Sequence, residues 1–159
     1  MTKLFFASKR PNDAAAIISP GNYGRGFDNY RVSRLNGGDP WMLAIDQAVE
    51  LARLRIDPNL PSRFNCNYLF LSLETLHAST AKMFGIATPL AVWEAELVTP
   101  DAACHIGNFN IIPPVEGETY AQICRRAEQY WTPNTDLATQ EFITSSDIRL
   151  TSRVIMPTR

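Results

Sequence analysis

Residues 140–156 constrain the fold of this 159-residue chain more tightly than any other stretch. Ile148, Leu150, Ser152, Val154 and Met156 alternate there with Arg149, Thr151, Arg153 and Ile155. A period of two puts successive side chains on opposite faces of a sheet, a pattern no helix satisfies. Residues 140–144 precede it and Ser145-Ser146-Asp147 breaks the chain between them, so the ending predicts two antiparallel strands. Glu141 begins the first, where a side chain can leave the packed sheet and face a cleft.

A second period lies upstream. Asp39-Pro40 supplies an N-cap and a first-turn proline, and Trp41, Ile45, Ala48, Ala52 and Ile56 recur on one helical face until Pro58 and Pro61 stop it. Ser72 caps a second predicted helix carrying Leu73, Leu76, Thr80 and Phe84, which Gly85 ends. Residues 119–131 predict a third, with Tyr120, Ile123, Cys124, Ala127, Tyr130 and Trp131 on one stripe. Short apolar or alternating runs at 3–8 (KLFFAS), 65–72 (NCNYLFLS) and 91–98 (AVWEAELV) read as strands, with a further short one at 108–112. Strands and helices in this order specify an α+β fold, and the length suits one domain burying roughly 70% of its extended surface. Between the first strand and the first helix lies a loop over 18–38 containing SPGNYGRG, long enough to suggest ligand contact.

Composition narrows the function classes. An apolar content of 45% with three Trp and eight Phe belongs to a packed core. The sequence has no apolar run near the roughly 20 residues of a membrane helix and no signal-peptide core at its N-terminus, so the expected compartment is the cytoplasm, or a target cell reached without a classical signal. Net charge is −1, which argues against general nucleic-acid binding. Its distribution is uneven: residues 1–38 carry six Lys/Arg against two Asp, residues 91–141 eight Asp/Glu against two Arg. Twelve of the fifteen basic residues are Arg, whose planar fork suits bidentate phosphate contact, so a small anionic ligand near the N-terminal segment fits better than a polymer.

Other residues that could carry chemistry have plainer readings. Cys66, Cys104 and Cys124 lie too far apart for a disulfide framework or a zinc knuckle, and Cys104-His105 lacks converging ligand spacing, so no metal is expected. His77 falls within a predicted helix with no partner carboxylate, and Cys124 on an apolar stripe. Glu94 and Glu96 share the polar face of a half-solvated strand.

Four segments, in this order and spacing, carry a resemblance: KLFFASKR, SPGNYGRG, PSRFNCNYLFLSLETLHASTAKMF, and the ending RRAEQYW…TQEFITSSDIRLTSRVI. Through them the chain resembles the ADP-ribosyltransferase-like superfamily, in a small uncharacterised bacterial branch, over most of its length. The resemblance implies one domain over residues 1–159 with a split antiparallel sheet that forms a cleft for NAD, no metal, and an unknown macromolecular acceptor. It implies backbone contacts to nicotinamide from Ala7 and Ser8, a strand from Tyr68 to Ser72 lining that site, and Glu141 touching the nicotinamide ribose. Arg25 and Arg63 are added as cationic forks for a pyrophosphate. The implied function is NAD-dependent mono-ADP-ribosyl transfer by a toxin, effector or phage-defence protein. A non-catalytic nucleotide- or protein-binding module on the same fold is the alternative. Two departures bear on this: Phe5 and Phe6 stand where several branches carry His or Arg on the first strand, and Thr139 precedes Gln140 and Glu141, so arginine is not implied as the acceptor.

Overall fold

In the computed structural model, residues 3–30, 40–85 and 88–155 are described. Among them the chain runs β1 (Leu4–Ser8), β2 (Ile17–Ile18), α1 (Asn22–Phe27), α2 (Pro40–Ile56), β3 (Asn67–Leu69), α3 (Leu73–Phe84), β4 (Ala91–Leu97), β5 (Cys104–Asn108), α4 (Tyr120–Tyr130), β6 (Gln140–Thr144) and β7 (Ile148–Val154). Short 3-10 turns at Arg63–Asn65 and Phe109–Ile111 precede β3 and follow β5. The fold is α+β, and every strand pairing among the described residues is antiparallel. The predicted cap at Asp39, Met156 and the later part of the 18–38 loop lie outside the described residues; its earlier part forms the end of β2 and all of α1.

Local hydrogen bonds explain where elements start. Ser72 accepts the Thr75 N–H at 3.1 Å and opens α3, as its position predicts. Thr119 and Gln122 make a capping box that opens α4. The strand predicted over 65–72 shrinks to β3, because Ser62 turns the preceding residues into a 3-10 turn and Ser72 is taken by its cap. The strand predicted at 108–112 is instead a turn: the Asn108 side chain accepts the Asn110 N–H at 2.9 Å, and the strand lies earlier, at Cys104–Asn108.

The sheets correct the expected C-terminal arrangement. One has the order β1-β4-β7-β2 and the other β3-β6-β5. The last two strands are therefore not partners. Ser145–Asp147 carries the chain from one sheet to the other, tied by Ser145 N–H to the Ala103 carbonyl and Val98 N–H to the Asp147 carbonyl. Among the described residues the two sheets meet through one bridge between Phe5 and Phe70, closed by reciprocal backbone bonds of 2.8 and 2.9 Å.

Three buried clusters follow from the alternation. Leu69 and Phe142 of the smaller sheet join Leu4, Trp93, Ala95, Ile148 and Leu150 of the larger. Leu76 of α3 packs in a cluster with Phe5, Phe70, Val92 and Phe109 beneath the helix. The opposite face of the smaller sheet presents Tyr68 and Ile143 to α2 and α4. On α2 the buried stripe is Ile45, Asp46, Ala48, Val49, Ala52 and Arg53, whereas Trp41 and Ile56, predicted on that face, are 58% and 53% exposed at the two ends. The stripe is held against α4 by the Trp131 indole N–H, which donates to the Val49 carbonyl at 2.8 Å. No helix among the described residues is long and apolar enough to cross a membrane.

Candidate functional site

The alternation of β6 decides which way Glu141 points. It lies two residues before Ile143, so it shares the face under α2 and α4, while Phe142 goes to the other cluster. Gly107 of β5 stands opposite Glu141 in register. A Cβ at Gly107 would lie 2.5 Å from Cζ of Tyr130. The bare backbone there is what lets the Tyr130 ring lie over the strand and donate its hydroxyl to Glu141 Oε1 at 2.6 Å.

Arg63, delivered by the 3-10 turn before β3, enters the same space. Its Nη1 donates to Glu141 Oε1 and, at 2.8 Å, to the Tyr130 hydroxyl, while its Nε donates to Asp46 Oδ1 on α2 at 3.0 Å. The other Asp46 oxygen accepts the Tyr23 hydroxyl of α1 at 2.6 Å. The Tyr68 hydroxyl donates to the Arg63 carbonyl at 2.7 Å, and the rings of Tyr68 and Tyr130 lie 5.0 and 4.9 Å from the guanidinium carbon. Two carboxylates thus share one guanidinium inside a cage of tyrosines, with Asp46, Arg63 and Glu141 only 0%, 4% and 3% exposed.

Burial shapes the chemistry. It works against charge on Arg63, but Tyr130, Tyr68, Glu141 and Asp46 outweigh it and hold the guanidinium above its ordinary range. Burial above all raises the Tyr23, Tyr68 and Tyr130 phenols, with Asp46 and Glu141 adding to it on Tyr23, Cys66 and then both acids on Tyr68, and Glu141 on Tyr130, despite the opposing pull of Arg63, so all three are neutral donors. The Cys66 thiol is pushed up to about 12 by burial, which makes it an inert core group rather than a nucleophile. His105 on β5 is buried beside the cluster with Nε2 2.8 Å from the Tyr130 carbonyl, and burial lowers its pKa.

The structure brings together Glu141, Arg63 and Tyr68 among the residues singled out from sequence. The others lie apart. Ala7 packs in the cluster under α3, and the Ser8 hydroxyl closes a local turn with the Arg10 backbone at 3.0 and 3.1 Å. Ser72 is engaged as the α3 cap. Arg25 is exposed on α1, its Nη1 3.2 Å from the Pro20 carbonyl, and lines a cavity of about 440 Å³ with Phe27, Asp28, Gln47, Phe64 and Asn65. No hydrogen bond among the described residues joins Ser8, Ser72 or Arg25 to Glu141.

Sequence reasoning passed over Asp46, Tyr23, Tyr130 and His105 as members of this cluster. Asp46 carried a signal, a carboxylate between Ile45 and Val49 on an otherwise apolar face, whereas Tyr130 read only as core. Glu94 is on the solvated face, paired with Lys3 at 2.7 Å, and His77 is exposed on α3. No group of His, Cys, Asp or Glu among the described residues is arranged to hold a metal ion. No protein-family model matches the chain, and no curated protein matches it.

Proposed function

We propose that the chain is an NAD-dependent mono-ADP-ribosyltransferase of the ADP-ribosyltransferase type, with Glu141 as its catalytic carboxylate. The observation that carries this reading is the fixed carboxylate leading β6, oriented through one oxygen by both a guanidinium and a phenol. The meeting of two antiparallel sheets at the Phe5–Phe70 bridge also supports it, since the resemblance implies a sheet in two parts. In this reaction the bond between C1′ of the ribose and the nicotinamide nitrogen breaks, its electron pair leaving on nicotinamide as a neutral molecule. The acceptor's nucleophile bonds to C1′ and releases its proton. Positive charge builds on the ribose in between, as in glycoside hydrolysis, and a preorganised carboxylate stabilises it. Arg63 and Tyr130 hold that carboxylate in one rotamer, and the second carboxylate, Asp46, keeps the guanidinium from cancelling its field. The acceptor is a macromolecule, in keeping with a toxin, effector or phage-defence role.

A specific observation favours a second reading, a non-catalytic nucleotide-binding module on the same fold: Glu141 is 3% exposed, so a ribose reaches it only if side chains over it move. The two are separated by incubating the protein with NAD and measuring released nicotinamide by chromatography. Glu141→Gln keeps the shape and the acceptor oxygen, and it should lower release by about 10²–10³-fold with an unchanged circular dichroism spectrum. Equal rates for the two proteins would remove Glu141 from the mechanism, and absence of turnover with retained nucleotide binding would establish the module.

A further inference from the structure

The cavity beside α1 has a composition that the buried cluster does not explain. Its lining includes Phe27 and Phe64, Gln47 and Asn65, Arg25 and Asp28, around about 440 Å³. That volume is in the range of small-molecule sites. Each type of group answers a different part of a nucleotide. An aromatic ring offers a face to a base, and a side-chain amide offers a donor and an acceptor to its edge. A guanidinium fork matches phosphate oxygens, and a carboxylate accepts ribose hydroxyls.

The position of the cavity matters as much as its lining. Gly21, Gly24 and Arg25 flank Tyr23 in sequence, Gln47 follows Asp46, and Phe64 and Asn65 follow Arg63. The three segments that wall the cavity are therefore the three that carry Tyr23, Asp46 and Arg63 into the buried cluster. The contact is tight: a Cβ at Gly24 would lie 2.0 Å from the Phe64 carbonyl oxygen, so α1 rests directly on the turn that bears Arg63. A ligand seated in the cavity therefore lies against the segments that bear Tyr23, Asp46 and Arg63. On β1, meanwhile, Phe5 and Phe6 offer no polar group to a nucleotide.

We propose that this cavity is the subsite for the adenosine diphosphate half of the substrate, with Phe27 or Phe64 against the base, Gln47 and Asn65 on its edge, and Arg25 on the diphosphate. The assignment rests on the NAD reading for its place in catalysis, but binding of the half-molecule is separable from turnover.

The test is calorimetric titration of the full chain with ADP. Arg25 and Gln47 are both exposed, so Arg25→Gln and Gln47→Leu leave the fold intact, and Arg149→Gln on the exposed face of β7 controls for loss of charge alone. The wild type and Arg149→Gln should bind ADP equally, and each of the two cavity variants about tenfold more weakly. Failure of the wild type to bind ADP, unaltered binding by both cavity variants, or equal weakening by Arg149→Gln would each overturn the subsite. Nicotinamide release that depends on Glu141 but keeps its KM in Arg25→Gln would overturn the subsite and leave the catalytic reading standing. ADP binding that needs Arg25 and Gln47, without any NAD cleavage, would do the reverse.

Discussion

At the scale of single residues, Arg63 decides the character of the interior. It satisfies Asp46 and Glu141 together, and each acid is buried so completely that water cannot replace the guanidinium. Removing one partner of a buried ion pair leaves charge uncompensated, at a cost of about 3–5 kcal/mol. Arg63→Met, which keeps much of the volume, should therefore lower unfolding free energy by about that amount in urea denaturation. A loss below about 1 kcal/mol, the level of an exposed pair, would show that the carboxylates find other partners. Arg63 and Glu141 were legible in the sequence as a cation and an acid near proposed cleft strands. That they bind each other was not, since 78 residues separate them and only the β3–β6 pairing closes the distance.

Elements were easier to read. Helix α3 starts at Ser72 and ends at Gly85 as predicted, because a cap is a contact between residues two or three positions apart. Ser72 is also the residue for which the resemblance implies a nicotinamide contact, and the two roles differ in what they predict. As a cap, Ser72→Ala should cost about 1 kcal/mol of stability, measurable as a shift in the urea midpoint. An unchanged midpoint together with weaker NAD binding would make it a ligand contact instead. Where the reading of elements missed, a competing local bond was responsible. Ser62 and Asn108 each accept a backbone N–H two residues on and turn the chain where apolar character alone suggested strand. The ends of α2 show a second kind of miss: Trp41 and Ile56 keep the helical period but lie at the two ends of the helix and are more than half exposed, so periodicity overstated the buried stripe.

For the whole molecule, the seam between α4 and the smaller sheet is where pH acts. His105 sits there against the Tyr130 and Trp131 rings, at 5.6 and 5.0 Å, with burial lowering its pKa. A histidine depressed in the native state is protonated first in the unfolded chain, so stability is full above the ordinary value of 6.5 and falls as pH drops below it. The wild type should accordingly lose more stability between about pH 7.5 and about pH 5.5 than His105→Gln does, as followed by thermal unfolding at each pH. Parallel losses in the two proteins would place the acid sensitivity elsewhere.

The division of labour between sequence and tertiary structure follows from range. Periods of two and of 3.6, caps and turn residues act over a few positions, so the α+β class, most of the elements and the place of Glu141 near the start of a strand were all readable from the chain alone. A period names the face a side chain takes but not the strand beside it. Gln140–Thr144 and Ile148–Val154, adjacent in the chain and each strand-like, went to different sheets because each has an apolar face matched by a distant partner. Tertiary structure alone turned Tyr130, a member of a helical stripe, and Asp46, which sequence reasoning passed over, into partners of Arg63. It also closed Glu141 beneath them, since the burial of a carboxylate depends on what the rest of the chain lays over it.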